Sequence, residues 1–253
     1  MLEINHLSFS YANRGILEDL SLSFSPGKFY GIIGPNGCGK TTLIRLLCGL
    51  LSPLEGTVAL DGRKYSDFSR KEWAQNISLL PQSRTLPAVS GEELVLRGRY
   101  PYWGAFCRKT EEDDRAVEQA LAFADAQSLA HRTVTELSGG ERQKLCLALL
   151  LAQDTPYVLL DEPTVFLDIS HRFALMEQLQ TLRNGGKCVI AVLHDLSLAL
   201  RYCDELLVLK DGSVQAFDTL DRILSSDVLE DVFDLRCRSV LVDGRPEYLF
   251  LPK

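Results

Sequence analysis

The sequence lacks the features that mark several classes of protein. Its seven cysteines form no CxxC pair, and no cluster of His and Cys has the spacing of metal ligands, which argues against a zinc module. Reduced thiols in a cytosolic protein are therefore expected. Basic residues are not in excess, because 27 Lys and Arg stand against 34 Asp and Glu, for a net charge of -7. No nucleic-acid partner is expected, since that binding depends on clustered positive charge.

A targeting segment and long apolar runs are also missing. The stretch Met1–His6 has no basic region followed by an apolar core, so no secretory signal is predicted. The apolar stretch from Leu145 to Ala152 is shorter than the roughly twenty residues that span a bilayer. Any association with a membrane is therefore expected to depend on a partner.

What is present is an ordinary globular composition. The 253 residues are 46% hydrophobic and 24% charged, which is enough for a substantial core. No internal repeat, low-complexity tract or long linker interrupts the chain. One domain with subdivisions is the expectation.

The most informative pattern is the phosphate-loop motif GxxxxGK[ST], which is matched by Gly34, Pro35, Asn36, Gly37, Cys38, Gly39, Lys40 and Thr41. An apolar segment precedes it at 29–33 and a helix-like segment follows at 42–47, as the motif requires. Glycines let backbone N–H groups and the helix N-terminus surround phosphate oxygens, while Lys40 neutralises the β/γ charge and Thr41 offers a hydroxyl to magnesium. A chance glycine loop is the alternative, and the flanking pattern disfavours it.

The remaining patterns predict a mixed α/β fold. Alternation at 2–9 and 20–24 indicates an antiparallel sheet, and Asp-Gly pairs at 61–62, 211–212 and 243–244 are hairpin signals. The pattern turns helical between about 90 and 135. Two buried-strand candidates at 157–160 and 188–193, with a helical stretch around 172–182 between them, indicate a mostly parallel sheet as the core.

The apolar strand candidate at 157–160 leads directly into Asp161 and Glu162. One carboxylate would hold magnesium, and its neighbour would polarise a water molecule. An acidic pair after a strand is also common as surface decoration. Its combination with a phosphate loop favours the hydrolytic interpretation.

The chain resembles the ATPase subunits of ATP-binding cassette (ABC) transporters over nearly its whole length. The diagnostic run is Leu137-Ser138-Gly139-Gly140-Glu141-Arg142-Gln143, in the right order with the other motifs. Glu141 replaces the most familiar glutamine of this signature. The resemblance implies a single phosphate-loop NTPase cassette over 1–253, with a core at about 1–89 and 136–212 that includes an N-terminal antiparallel β subdomain. A helical subdomain at about 90–135 and a C-terminal extension at about 213–253 complete it.

The resemblance also implies residue roles in binding ATP and Mg²⁺. Tyr11 would stack on adenine, and Thr42 would join the phosphate loop. Gln82 would contact magnesium and water beside Thr41 and Asp161, with Glu162 as base and His194 as the γ-phosphate contact. Ser138, Gly139 and Gly140 would bind nucleotide as the signature, and Asp168 would belong to the D-loop in Phe166-Leu167-Asp168. Cys38 is expected to contribute only its backbone, because no base is evident beside it.

Partners are implied by the same resemblance. Two cassettes would sandwich ATP as a homodimer, bound to membrane-spanning permease subunits at the cytoplasmic face and linked indirectly to an external substrate-binding protein. The segment from Gln82 to about Trp103 is the expected permease contact. Two stretches, 96–102 and 152–156, resemble importers of iron chelates, haem and cobalamin. A soluble cassette ATPase that remodels a macromolecular complex is one alternative, and a nucleotide-binding regulator without turnover is another.

Overall fold

The computed structural model describes residues 1–12, 14–82, 85–104, 109–165, 167–242 and 245–253. Phe166 of the predicted D-loop and the Asp243-Gly244 hairpin signal lie outside the described residues, as do positions 83–84 of the predicted permease contact. The strands are β1 (Leu2–Tyr11), β2 (Arg14–Phe24), β3 (Phe29–Ile33), β4 (Glu55–Leu60), β5 (Arg63–Lys64), β6 (Ile77–Leu80), β7 (Tyr157–Asp161), β8 (Cys188–Val192), β9 (Glu205–Lys210), β10 (Ser213–Thr219), β11 (Leu235–Val242) and β12 (Arg245–Pro252). The α-helices are α1 (Lys40–Leu47), α2 (Arg70–Ala74), α3 (Gly91–Leu96), α4 (Glu111–Phe123), α5 (Gly139–Ala152), α6 (Ile169–Asn184), α7 (Leu196–Tyr202), α8 (Leu220–Leu224) and α9 (Val228–Phe233).

The larger sheet positions the site. Its strand order is β10-β9-β3-β8-β7-β6, and the pairs from β9 to β6 are parallel. Every residue of β3, β7 and β8 is buried, which explains why these strands are continuous apolar runs in the sequence. The carboxyl ends of parallel strands meet at one edge of a sheet. The segments that follow β3, β7 and β8 are therefore brought together, and the prediction of a mostly parallel core is confirmed.

A smaller antiparallel sheet covers one side of this core. Its order is β2-β1-β4-β5, and its inward residues share one apolar cluster with helix α1 and with the larger sheet. The Asp61-Gly62 pair joins β4 to β5, and Asp211-Gly212 joins β9 to β10, so both hairpin predictions are confirmed. Strand β10 extends the larger sheet to Thr219, beyond the expected start of the C-terminal extension at about 213.

The helical stretch between 90 and 135 contains α3 and α4, which pack on α5. Helix α4 begins after Thr110, whose hydroxyl accepts from the Asp113 N–H while the Asp113 carboxylate accepts from the Thr110 N–H. The carboxylate of Asp113 also accepts from Arg99 Nε at 2.9 Å, and both side chains are almost completely buried. Within the described ranges, no helix combines the length and apolarity needed to span a membrane.

Asp113 is expected to stabilise the fold in a pH-dependent way. Burial by itself raises the pKa of Asp113, but hydrogen bonds from Arg99, Thr110 and Trp103 outweigh it and lower this pKa to about 2. A lowered pKa means that the unfolded chain binds the proton more tightly, so this stabilisation is present above about pH 4 and is lost as the pH falls toward 2. Asp113→Asn should lower the free energy of unfolding at pH 7 by about 2 kcal/mol, measured by urea unfolding.

The matched control for this prediction is Asp114→Asn. Asp114 lies in the same first turn but is exposed, with its ion pair to Lys109 at the surface, where such pairs contribute little. Equal losses of stability in the two variants at pH 7 would contradict the role given to Asp113. The gap between Asp113→Asn and the unaltered chain should also shrink when unfolding is repeated at low pH.

Candidate nucleotide site

The phosphate loop turns sharply between β3 and α1. Gly34 follows β3 with a φ of 153°, and a Cβ at this position would clash with the carbonyl oxygen of Leu209 and lie 2.8 Å from Cys38 Sγ. Only glycine fits this approach to the neighbouring strand. Gly39, with a φ of 106°, then caps helix α1 at Lys40. The loop thus presents its backbone at a helix N-terminus, which is the arrangement that binds phosphate oxygens.

The Lys40 ammonium lies inside this loop. Its Nζ donates to the carbonyl oxygens of Gly34 at 2.7 Å and Pro35 at 2.9 Å, and the residue is only 5% exposed. Cys38 Sγ is 3.9 Å from the same Nζ. Burial raises the pKa of the Cys38 thiol, so it is protonated at neutral pH and is a poor nucleophile.

Thr41 and Asp161 meet where α1 faces the end of β7. The Thr41 hydroxyl donates to Asp161 Oδ1 at 3.0 Å, and Asp161 is 3% exposed. Burial raises the pKa of Asp161, the Thr41 hydrogen bond opposes this, and the neighbouring charge of Glu162 adds to the increase. The positive charge of a bound cation would offset both the burial of Asp161 and its repulsion from Glu162. Hydroxyl and carboxylate oxygens are ligands that Mg²⁺ prefers.

Glu162 connects three separate parts of the chain. Gln82 Nε2, just after β6, donates to its Oε2 at 2.5 Å, and His194 Nε2, just after β8, lies 2.5 Å from its Oε1. Glu162 itself has a φ of 52°, so the backbone turns at the end of β7. Its side chain is 13% exposed and that of His194 is 40% exposed. The carboxylate is held on both oxygens and still reaches solvent.

A cavity of about 260 Å³ opens over the phosphate loop. Its described lining consists of Arg14, Ile16, Asn36, Gly37, Gly39, Lys40, Thr41, Thr42 and Glu162. Arg14 and Ile16 belong to β2 and were not predicted from the sequence. The available signal in the sequence was that Arg14, a cation, lies three residues after the predicted Tyr11. In the structure the two residues pair across the β1/β2 hairpin. Within the described lining, Arg14 and Lys40 supply the positive charge that a polyphosphate requires.

Tyr11 does not belong to the described lining of this cavity. It is the last residue of β1, its ring packs edge-on against Phe9 with centroids 4.9 Å apart, and it is 44% exposed. Its exposed ring remains available at the rim of the hairpin. Stacking of Tyr11 on a base stays a prediction.

The signature run forms the start of α5. Ser138 caps this helix, because its hydroxyl accepts from the Glu141 N–H at 3.3 Å and the Glu141 carboxylate accepts from the Ser138 N–H at 2.8 Å. The glutamate that departs from the familiar signature thus completes a capping box. Among the described residues, Ser138, Gly139 and Gly140 do not line the phosphate-loop cavity, and Gly140 borders a different cavity of about 300 Å³ between α4, α5 and α6. One chain does not unite the signature with its own phosphate loop.

Asp168 caps α6 through its side-chain carboxylate. Its Oδ1 accepts from the His171 N–H at 2.9 Å and from the Ser170 hydroxyl at 2.8 Å, and His171 Nδ1 lies 2.8 Å away. These hydrogen bonds lower the pKa of Asp168 to about 2, and the bond from the His171 N–H has the largest effect. The carboxylate is charged and fixed at neutral pH.

Residues 17–165 match the family model described as ABC transporter. The chain belongs to the ABC transporter family. It is 42% identical to the ferric enterobactin transport ATP-binding protein FepC of Escherichia coli strain K12, over 91% of this chain and 86% of that one. It is also 42% identical to the hemin import ATP-binding protein HmuV of Pseudomonas fluorescens strain Pf0-1, over 98% and 96%.

Solved structures agree with the fold of this ABC protein. A transporter described as being of metal-chelate type, in an inward-facing conformation, has a TM-score of 0.86 at 27% identity and covers 100% of this chain and 98% of its own. A dimeric ATP-binding cassette in a post-hydrolysis state, bound to ADP and Pi, has a TM-score of 0.76 at 28% identity over 87% and 99%. The predicted cassette fold is confirmed.

Proposed function

We propose that this chain is the ATP-hydrolysing subunit of a membrane importer for ferric siderophores or a related metal chelate such as haem. The observation that carries the chemistry is Glu162, held between Gln82 and His194 beside the Thr41–Asp161 pair. The relatives named for ferric enterobactin transport and hemin import support the cargo class. They favour an importer over the remodelling ATPase, and Glu162 with His194 disfavours a regulator without turnover.

ATP fits the cavity because its donors match a polyphosphate. Arg14 and Lys40 supply positive charge, and the phosphate loop supplies backbone N–H groups at the start of α1. Bound Mg²⁺ would neutralise charge on the phosphate oxygens, with Thr41, Gln82 and Asp161 as the residues that hold it. Since Gln82 donates to Glu162 through Nε2, its amide oxygen is left for that role.

Glu162 acts as the general base in this proposal. It accepts a proton from the water whose oxygen attacks the γ-phosphorus, while ADP leaves. Gln82 and His194 orient the carboxylate, and His194 also contacts the γ-phosphate. Because phosphoryl transfer gains mainly from positioning and charge stabilisation, an incomplete site should hydrolyse ATP slowly.

A second copy of the chain completes the site. Ser138 to Gly140 lie away from their own phosphate loop, and each signature would close on the ATP held by the partner. The dimeric cassette to which the chain is similar supports this assembly. Asp168 and the other D-loop residues would lie near the interface between the two copies. The dimer would bind permease subunits peripherally at the cytoplasmic face of the membrane.

Ser138→Arg is expected to leave ATP binding by the single chain intact and to prevent ATP-dependent dimerisation. A bulky cation would occupy the space that the signature offers to the partner's phosphates. Sedimentation of the chain with and without ATP and Mg²⁺ measures this, in the Glu162→Gln background to suppress turnover.

Ser69→Arg is the matched control for the signature variant. Ser69 caps α2 through the same capping box with Glu72, so its replacement removes a similar cap, worth about 1 kcal/mol, away from the signature. Loss of dimerisation in both variants would attribute the effect to stability and contradict the role of Ser138.

The transport function is tested by isolating the tagged chain from detergent-solubilised membranes of its native cells. Enrichment of a multi-spanning permease is expected, and that complex in vesicles should accumulate ferric siderophore or haem only with ATP. Recovery in soluble complexes alone would overturn the importer and favour the remodelling ATPase. The cargo itself would be chosen by the permease and its external binding protein.

A further inference from the structure

A short 3₁₀ segment, Arg97–Tyr102, lies against the C-terminal end of the signature helix α5. A Cβ at Gly98 would clash with the carbonyl oxygen of Leu149, so the two backbones approach as closely as glycine allows. Arg99 Nη1 donates to the carbonyl oxygen of Ala152 at 3.0 Å, and the Tyr102 hydroxyl donates to that of Gln153 at 2.8 Å. These donors satisfy carbonyls that a helix end otherwise leaves without partners. We call residues 97–103 the α5 joint.

The joint also holds the helical insertion. The Arg99 guanidinium is bonded to the buried Asp113 at the start of α4 and lies 4.0 Å from the centre of the Tyr102 ring. Trp103 Nε1 donates to the other oxygen of Asp113 at 3.0 Å. The beginning of α4 and the end of α5 are therefore fixed to one guanidinium and one carboxylate.

On its other side the joint is bonded to the nucleotide core. Gln75 Nε2, just after α2, donates to the carbonyl oxygen of Pro101 at 2.7 Å. Gln153 Nε2, at the end of α5, donates to the carbonyl oxygen of Ala74 at 2.6 Å. Strand β6, which leads into Gln82, begins next to this contact. The joint is therefore bonded to all three neighbouring elements, the end of α2, the start of α4 and the end of α5.

The outer face of the joint is aromatic. Tyr100 is 52% exposed and Tyr102 is 37% exposed, and the Tyr100 ring packs on Trp103 with centroids 4.6 Å apart. Exposed aromatic clusters are typical of surfaces that bind another protein. This face lies within the stretch expected to contact the permease.

We propose that Gly98, Arg99 and Tyr102 are positioning residues that transmit movement of a bound partner to the signature. The α5 helix is a rigid rod of 14 residues, about 21 Å long, with the joint at one end and Ser138 to Gly140 at the other. Displacing the aromatic face tilts the helix end that it holds, and the signature moves at the far end. This inference rests on the proposed transport function.

The test compares Tyr102→Phe with the unaltered chain in complexes with the co-isolated permease in vesicles. The variant loses the hydroxyl bond to Gln153 and keeps the ring over Arg99. Hydrolysis by the chain alone and its ATP affinity should be unchanged, and permease binding should persist. The ratio of permease-stimulated to basal hydrolysis should fall by roughly 3- to 10-fold, the effect of one hydrogen bond of ordinary strength. Substrate accumulated per ATP hydrolysed should fall with it.

Tyr100→Phe is the matched control, since it removes a hydroxyl from the same aromatic face and should leave the stimulation ratio unchanged. Gly98→Ala is a second variant, which pushes the joint away from Leu149, and thermal unfolding establishes that it is folded. Full stimulation in both Tyr102→Phe and folded Gly98→Ala would overturn the positioning role and leave the proposed transport function standing. Failure of Tyr102→Phe to bind the permease would make Tyr102 a docking contact and also overturn it. An unaltered complex without stimulation or transport would overturn the proposed function, and this inference with it.

Discussion

Glu162→Gln is expected to lower the rate of ATP hydrolysis by at least about 100-fold, the usual contribution of a general base. The amide is neutral at every accessible pH, so it cannot take the proton from water. ATP binding should survive, because the phosphate loop, Lys40 and the Thr41–Asp161 pair are left in place. Steady-state release of phosphate measures the rate, and titration with a fluorescent ATP analogue measures the affinity.

Glu118→Gln is a suitable control for this variant. It removes the same charge, and Glu118 is exposed on α4. It should hydrolyse ATP at the unaltered rate. Hydrolysis at that rate by Glu162→Gln would remove Glu162 from the role of base. Loss of nucleotide binding together with hydrolysis would instead show that Glu162 matters through the contacts it makes with Gln82 and His194.

Lys40→Ala is expected to weaken ATP binding by about 10- to 100-fold, the effect of losing charge-assisted hydrogen bonds, and to abolish hydrolysis. The Lys40 ammonium is buried in the phosphate loop and bonded to the carbonyls of Gly34 and Pro35. When ATP binds, its phosphate oxygens would replace these carbonyls as the acceptors of the Lys40 ammonium. In the variant the phosphates would lose this donor. The same fluorescent titration gives the dissociation constants.

Lys64→Ala, on the exposed strand β5, removes an equal charge outside the phosphate loop and should bind ATP normally. Thermal unfolding of both variants separates a loss of affinity from a loss of fold. An unchanged dissociation constant for folded Lys40→Ala would contradict the role of Lys40 in binding the phosphates of ATP.

The phosphate loop was readable from the sequence because its requirements are local. Gly34 must accept a backbone conformation and an approach that exclude a Cβ, and Gly39 must cap a helix that starts one residue later. The buried strands β3, β7 and β8 were also evident, since strands covered on both faces are continuously apolar. The structure adds that β3, β8 and β7 are adjacent and parallel, which brings the phosphate loop, Asp161 and His194 to one edge of the sheet.

The contacts between these segments were decided by the tertiary structure. Arg14 and Ile16 reach the cavity, while Tyr11 lies outside its described lining, because the β1/β2 hairpin sets which residues face the phosphate loop. The placement of Glu162 between Gln82 and His194 depends on β6, β7 and β8 being adjacent. Such details require the register of strands that are distant in sequence.

The sequence by itself determined the family, the order of motifs and the chemistry of the nucleotide loop, since these follow from residue types at short spacings. Only the tertiary structure revealed that Gly98, Arg99 and Tyr102 hold the end of the signature helix. Likewise, it alone separated Ser138 from the phosphate-loop cavity of the same chain. The physical reason is that a buried ion pair such as Arg99–Asp113, or a helix end bonded to a distant loop, depends on packing of whole elements. No local pattern of residues encodes that packing.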